Sequence, residues 1–165
     1  MRQRAIQIIF LCIILVLIMQ GTSFAQGSSI AKATFSIKTP EALVGWFTRD
    51  FRYELKLTNI CQTPEETCAL KKGDCDDFAS LAQVVLKNMG IKSDVVIIKF
   101  KGLNVLHAVC IWKNAAGNVS FISNQKLYQT AEPDVRQAIK KYYPDLETII
   151  YTDKDMRYTR FVKAQ

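Results

Sequence analysis

Histidine is nearly absent from this sequence, because His107 is the only one among 165 residues. Five cysteines are present, but none belongs to a C-x2-C pair, and Cys61, Cys68 and Cys75 follow one another at intervals of seven residues. Structural zinc sites use four cysteine or histidine ligands, usually with such a closely spaced pair. The scarcity of histidine and the wide cysteine spacing therefore argue against a zinc site.

Blocks of basic residues are also missing. Lysine and arginine total 22 against 15 acidic residues, a formal net charge of +7, but they are spread along the chain without interleaved aromatic residues. Nucleic-acid-binding domains usually concentrate their basic residues in a patch or stripe. We therefore expect no nucleic-acid partner, and a charge of this size favours only unspecific attraction to anionic surfaces.

Only the first 25 residues hold a long apolar run. Arg2 and Arg4 precede the run Ile6–Met19, and Ser23-Phe24-Ala25 then supplies small residues at the −3 and −1 positions of a cleavage site. This order is typical of a secretory signal peptide, and the run is shorter than the roughly 20 residues of a membrane-spanning helix. We predict a signal peptide over residues 1–25, no stable membrane span after its cleavage, and a periplasmic or secreted protein. An uncleaved anchor is the alternative.

The remaining chain is predicted to be a short linker followed by one α+β domain. Residues 26–38 are mostly small and polar, which indicates a linker, and residues 39–165 are long enough for a domain with its own core. Threonine, proline and glutamate mark two helix starts, at Thr39 and Thr63. Helical patterns precede β-branched runs, which favours an α+β plan. The expected helices are 39–53, 63–70, 75–89 and 133–142, and the expected strands are 94–100, 105–112, 119–123, 146–151 and 158–162.

The stretch around Cys75 is the candidate catalytic centre. Gly73 and Asp74 lead directly into an apolar stripe of helical spacing, and Gly90 follows as its stop, so Cys75 falls at the start of a helix. Unpaired backbone N–H groups and the helix dipole favour a thiolate there. A thiol nucleophile needs a base, and the imidazole of His107, on a predicted strand, suits that task near neutral pH.

Four segments in this order resemble the bacterial transglutaminase-like cysteine proteinases: Gln62–Glu66, Gly73–Ala79, His107–Val109 and Phe121–Gln125. The resemblance covers roughly residues 39–125. It implies a papain-like core in which the helix of the nucleophile packs on an antiparallel sheet. It also implies cleavage of a peptide or amide bond, in a protein or peptide substrate of the cell envelope, through a thioester on cysteine.

Carried over onto this sequence, the resemblance makes Cys75 the nucleophile and His107 the general base and acid. The third family position is normally an aspartate, and Ser123 stands in its place. Serine accepts a hydrogen bond but carries no charge, whereas the amide oxygen of Asn124 could orient His107 if the strand ends or bulges there. We favour Asn124 over Ser123 as the third catalytic residue and keep both as candidates.

A second departure concerns the oxyanion hole. Many family members carry a tryptophan shortly before the Thr-Pro-Glu string, and here Cys61 occupies that region. The oxyanion would then be stabilised mainly by backbone N–H groups around Cys75.

Three acidic residues surround the candidate nucleophile. Asp74, Asp76 and Asp77 can serve as helix cap and first-turn charges. Calcium binding, which the resemblance to some bacterial family members implies, is the alternative role, with Asp74 and Asp76 as candidate ligands because hard cations prefer oxygen. We expect no required cofactor and keep calcium as a candidate. Negative charge beside Cys75 opposes thiolate formation.

Three alternatives to hydrolysis stay open. Transfer of the acyl group to an amine would make the protein a transglutaminase. The missing aspartate would suit a catalytically weak fold that serves as a binding module. Export would also permit disulfides, either Cys61–Cys68 with Cys75 free, or Cys75 paired with one of these two, which would remove the nucleophile.

Overall fold

The computed structural model describes residues 27–56, 60–153 and 158–163. The predicted signal peptide lies outside these residues and stays a prediction, and none of the described helices is long and apolar enough to cross a membrane. The helices are α1 (Gly27–Thr34), α2 (Pro40–Asp50), α3 (Pro64–Leu70), α4 (Cys75–Asn88) and α5 (Val135–Lys140). The strands are β1 (Arg52–Tyr53), β2 (Lys72–Gly73), β3 (Ser93–Phe100), β4 (Leu106–Lys113), β5 (Val119–Ser123), β6 (Lys126–Gln129), β7 (Leu146–Thr152) and β8 (Tyr158–Lys163).

A six-stranded sheet forms the centre of the fold. Its strand order is β6-β5-β4-β3-β7-β8, and every neighbouring pair is antiparallel. The short strands β1 and β2 pair separately and in parallel. Helices come mostly before the antiparallel sheet along the chain, so the predicted α+β class is confirmed.

Side chains alternate across the sheet, and each central strand therefore contributes to two cores. Val95 and Ile97 of β3 pack with α1 to α4 on one face, whereas Val96 and Ile98 pack with Ile139 of α5 on the other. The helix that begins at the predicted nucleophile, α4, thus packs on an antiparallel sheet, as the resemblance implied.

The helix starts that capping patterns predicted are confirmed. At the start of α3, Thr63 Oγ1 accepts a hydrogen bond from the backbone N–H of Glu66 at 3.2 Å, and Glu66 Oε2 accepts one from the N–H of Thr63 at 2.7 Å. This reciprocal pair is a capping box. The helix α4 begins at Cys75 and stops before Gly90, whose φ of +78° lies in the left-handed region that favours glycine.

Part of the segment that we predicted as a linker is helical. Residues 27–34 form α1, and Ile30 and Ile37 are buried. Two apolar residues in a stretch of small and polar residues do not make the apolar stripe that predicts a helix. Contacts with α3 and α4 therefore explain why this segment is helical. The core of the domain therefore includes part of the predicted linker.

The helix α2 ends at Asp50, earlier than predicted. Its apolar pattern continues beyond this point, but Arg52 and Tyr53 are extended because they pair with Lys72 and Gly73 of β2. A pairing between such short strands leaves no periodicity in the sequence. The pair brings the chain before α3 alongside the turn that leads into α4.

Candidate active site

Cys75 is the first residue of α4, and its side chain is half-buried. The helix packs against β4, and the backbone N–H of Ala108 on that strand is near enough to the sulfur to lower the pKa of Cys75. His107 is the preceding residue of the same strand. Cys75 therefore lies near Ala108, the residue that follows the predicted base on β4.

The surroundings of Cys75 favour the neutral thiol. Burial raises the pKa of Cys75, and the charges of Asp76 and Asp74 raise it further, while hydrogen bonds from the backbone N–H groups of Ala108 and Asp76 oppose the increase. The net pKa of Cys75 lies above its ordinary value. The thiolate that a helix N-terminus favours is therefore opposed here by burial and by two adjacent carboxylates.

His107 is held by a hydrogen-bonded relay of three side chains. Its Nε2 lies 2.7 Å from Ser123 Oγ, which in turn lies 2.7 Å from the hydroxyl of Tyr143. The strand register explains the first contact. Cys110 pairs with Ile122, and continuing this register by one residue puts Ser123 diagonally across from His107 on the same sheet face. We call this set the His107–Ser123–Tyr143 relay.

The relay contains no carboxylate. Burial lowers the pKa of His107, and burial also raises the pKa of Tyr143, against a smaller lowering by its hydrogen bond to Ser123. Both groups therefore favour their neutral forms near neutral pH. Among the described residues, no hydrogen bond joins the sulfur of Cys75 to the imidazole. With Nε2 engaged by Ser123, Nδ1 is the nitrogen that remains for the thiol.

Asn124 does not take the position that we favoured for it. It follows β5 with a φ of 52°, a left-handed conformation that asparagine adopts more readily than most residues, and its buried Oδ1 has no hydrogen-bond partner among the described residues. Gln125 fixes this turn, because its Nε2 donates to the carbonyls of Phe47 and Phe51 at 2.9 and 2.8 Å. The partner of the imidazole is therefore Ser123, the residue in the place of the family's aspartate.

The three acidic residues form a compact cluster at the start of α4. One carboxylate oxygen each from Asp74, Asp76 and Asp77 lies within 4.8 Å of the others, so the cluster could hold a metal ion. Asp77 is fully buried and accepts hydrogen bonds from the backbone N–H groups of Gln62 at 2.7 Å and Asp74 at 3.0 Å. It therefore caps α4 and ties the preceding loop to it. The ammonium of Lys56 lies in the same cluster.

The four cysteines in the described part of the chain are all free. Cys61 Sγ donates a hydrogen bond to Asp76 Oδ2 at 2.6 Å, and Cys68 is buried. Burial and the neighbouring Asp76 raise the pKa of Cys61 to about 12. The Cys61–Cys68 disulfide and the alternative pairings of Cys75 are therefore not formed in this structure, and Cys75 keeps its thiol.

Two residues of this site, Tyr143 and Lys56, were not predicted as such. Tyr143 follows α5 in a tyrosine-rich stretch, where aromatic residues most often serve packing, and Lys56 is a lone lysine in the chain between β1 and α3. Neither belongs to a motif, and no spacing rule connects either one with Cys75. Tertiary contacts alone bring them to the site.

Comparison with known proteins agrees with the fold. Residues 25–150 match the family described as "Transglutaminase-like domain". The chain belongs to this transglutaminase-like family. The match confirms the resemblance on which the sequence interpretation rested, and it extends that resemblance over α1. No curated protein matched the sequence.

Solved structures share the fold of this transglutaminase-like chain at low sequence identity. LapG from Legionella pneumophila, in a calcium-bound form, superposes with a TM-score of 0.54 and 17% identity, covering 76% of this chain and 74% of LapG. An EGTA-treated form of LapG gives a TM-score of 0.54 and 16% identity, covering 82% of this chain and 80% of LapG. These likenesses establish the shared α+β, papain-like core.

Proposed function

We propose that this transglutaminase-like chain is an exported thiol hydrolase that cleaves a peptide or amide bond in a protein or peptide of the cell envelope. One observation carries the proposal: the thiol of Cys75 at a helix start lies near Ala108, and the preceding residue on that strand is His107, whose imidazole Ser123 and Tyr143 orient. A thiol beside an oriented base is the arrangement that nucleophilic acyl chemistry requires.

In the first step, the sulfur of Cys75 attacks the substrate carbonyl carbon, and its proton passes to Nδ1 of His107. The new C–S bond forms as the carbonyl π electrons move to oxygen, which gives a tetrahedral oxyanion. Collapse of this oxyanion breaks the C–N bond, and His107 returns the proton to the leaving amine. A thioester on Cys75 remains.

In the second step, water attacks the thioester carbonyl while His107 accepts a proton from the water. Collapse of the second tetrahedral intermediate breaks the C–S bond, and the sulfur recovers its proton from His107. A neutral imidazole that carries its hydrogen on Nε2 suits both steps, because Nε2–H donates to Ser123 Oγ while Nδ1 accepts. The carboxylic acid product then leaves.

Backbone N–H groups at the start of α4 are the donors that we propose for the oxyanion. N–H groups in the first turn of a helix lack intrahelical partners. The backbone N–H of Asp76 in this turn, and that of Ala108 on β4, both lower the pKa of Cys75, which supports their placement beside the sulfur. Preorganised donors of this kind stabilise an oxyanion without reorganisation.

Thiol labelling and peptide hydrolysis together test the proposal. Cys75 should be alkylated first, because Cys68 and Cys110 are buried and the pKa of Cys61 is raised to about 12. Cys75→Ala and His107→Ala should each lower hydrolysis of a sensitive peptide substrate at least about 100-fold, with an unchanged circular dichroism spectrum. If Cys75→Ala leaves hydrolysis unchanged, the hydrolase proposal is wrong.

The uncharged relay favours one second candidate, a binding module with weak catalysis. Without a carboxylate behind His107, the acyl-transfer steps would be slow while the fold stays intact. The two candidates differ in the effect of Cys75→Ala, which removes hydrolysis in the first and leaves peptide binding intact in the second. Transfer to an amine passes through the same thioester as hydrolysis. The two reactions can be told apart by adding a primary amine, because transfer then yields an amide product in place of the carboxylic acid.

A further inference from the structure

The ammonium of Lys56 lies in the middle of the acidic cluster that opens α4. Its Nζ lies 2.8 Å from Asp77 Oδ1, 3.6 Å from Asp74 Oδ1 and 3.7 Å from Asp76 Oδ1. It also donates a hydrogen bond to the backbone carbonyl of Ile60 at 2.8 Å. Three carboxylates and a carbonyl oxygen therefore surround one positive charge.

The surroundings hold this ammonium firmly. The side chain of Lys56 is only 16% exposed, that of Asp74 is 12% exposed, and that of Asp77 is fully buried. Burial opposes the charge of Lys56, but the hydrogen bond to Asp77 and the charges of the three carboxylates outweigh it and raise the pKa of Lys56. Lys56 therefore stays a cation at any pH at which the protein works.

A calcium ion at this place would need the same oxygen atoms. Calcium takes about six to eight oxygen ligands at roughly 2.3–2.6 Å, typically carboxylates and backbone carbonyls. These are the groups that face Lys56, and an ammonium among them fills the space that the ion would require. LapG has been solved with calcium bound. In this chain the acidic residues do not fit the ion while Lys56 is in place.

We propose that Lys56 is the resident cation of this cluster and that it replaces calcium in holding the start of α4. Lys56 is a positioning residue, since it contacts the acids on either side of Cys75 rather than the thiol. By neutralising Asp74 and Asp76 it limits the negative charge that opposes a thiolate. This last consequence rests on the proposed function, whereas the replacement of calcium does not.

The test compares calcium binding and thermal unfolding of three proteins in EGTA and in millimolar CaCl2. The native protein should bind no calcium by titration calorimetry, and its Tm should be the same in both solutions. Lys56→Gln should lower the Tm in EGTA by roughly 5 to 15 °C, because it leaves buried carboxylates without their partner. Calcium should then bind to Lys56→Gln at one equivalent and raise its Tm again.

Lys99→Gln is the matched control. It removes the same charge from an exposed pair with Glu147, so we expect a Tm change below about 3 °C and no response to calcium. Calcium binding by the native protein would overturn the proposal, and so would a Lys56→Gln variant that behaves like Lys99→Gln. If Lys56→Gln folds in neither solution, the calcium titration of the native protein decides.

These readouts do not depend on catalysis. Alkylation of Cys75 in Lys56→Gln should be several-fold slower in EGTA than in the native protein and should recover with calcium. An unreactive Cys75 in the native protein would count against the hydrolase proposal alone. The calcium titration and the Tm values would still decide whether Lys56 is the resident cation.

Discussion

Ser123 meets His107 with an uncharged oxygen, where family members normally have a carboxylate. A carboxylate would stabilise the imidazolium by charge, whereas serine only orients the ring. Tyr143, at the far end of the relay, is neutral as well, because burial raises its pKa. We therefore expect a resting pair of neutral thiol and neutral imidazole, in which the proton moves during the attack of Cys75 and not before it.

Restoring the carboxylate should activate the pair. Ser123→Asp should raise the pKa of His107 by at least about one unit and speed alkylation of Cys75 at neutral pH about ten-fold, because an imidazolium favours the thiolate. His107 is the only histidine, so its ring resonances in NMR report the pKa directly. Asn124→Asp, which adds the same charge one residue further on, is the control and should have a smaller effect. An unchanged pKa of His107 in Ser123→Asp would contradict the relay.

The pH dependence of alkylation follows from the direction of the shifts. Burial, and then the charges of Asp76 and Asp74, raise the pKa of Cys75, so the thiol stays protonated at neutral pH. Its alkylation rate should climb through neutral pH and level off only above the usual cysteine pKa of about 8.5. Rates with iodoacetamide, followed at Cys75 by mass spectrometry, measure this curve. A plateau that begins below about pH 7 would reveal a preformed ion pair instead.

At the scale of elements, the close approach of β2 to α4 depends on Gly73. A Cβ at Gly73 would lie 2.6 Å from Oδ2 and 2.7 Å from Cβ of Asp77, which is closer than van der Waals contact allows. Asp77 is fully buried and caps α4, so it has little room to move. The absence of a side chain at Gly73 therefore allows this junction to form.

Gly73→Ala should destabilise the protein by roughly 1–3 kcal/mol, because the added methyl group displaces Asp77. Urea unfolding gives the free energy difference. Gly45→Ala is the matched control: Gly45 lies in α2, a Cβ there meets no atom within 4 Å, and the change should stabilise the protein by up to about 1 kcal/mol. Equal stabilities for Gly73→Ala and the native protein would show that the junction tolerates a side chain.

The sequence predicted those elements that carry their own pattern. The capping box of Thr63 and the apolar stripe between Cys75 and Gly90 act within a few residues, so α3 and α4 start where expected. The strands β1 and β2 exist only through their pairing, and α1 depends on burial of Ile30 against other helices. The partners that stabilise these elements lie far along the chain, so a local sequence pattern does not predict them.

At the scale of the whole molecule, the site also combines residues that a local motif predicts with residues that only the folded chain brings together. Cys75 and His107 belong to local motifs and were predicted. The choice between Ser123 and Asn124 depends on where β5 ends, which the turn after it determines. Lys56 reaches the site from the chain between β1 and α3, and only the folded chain brings it there. The family resemblance covers residues with a shared motif, so it could not reveal a residue that replaces a metal ion.

For the proposed export, we expect the mature chain to begin at Gln26. A cut after Ala25 removes the apolar run and leaves α1 whole, because that helix starts at Gly27. Intact mass and N-terminal sequencing of protein recovered from the periplasm or medium measure the cut. Ala25→Arg, which spoils the small residue at the cleavage site, should accumulate the uncut chain. A native chain that keeps Arg2 after export would support the uncleaved anchor.

The strand β4 stands between the side chains of Cys75 and His107. Ala108, against which the thiol lies, belongs to the core beneath α4, whereas His107 shares the opposite face with Tyr143. For the proposed hydrolysis we therefore expect the thiol and the imidazole to approach each other around the end of the strand, next to Leu106, and the scissile bond to arrive along the plane of the sheet. We expect an extended, loosely held segment to enter in this direction more readily than a helix or a strand already paired in its own sheet. We expect natural cleavage positions to lie in linkers between folded parts of the substrate.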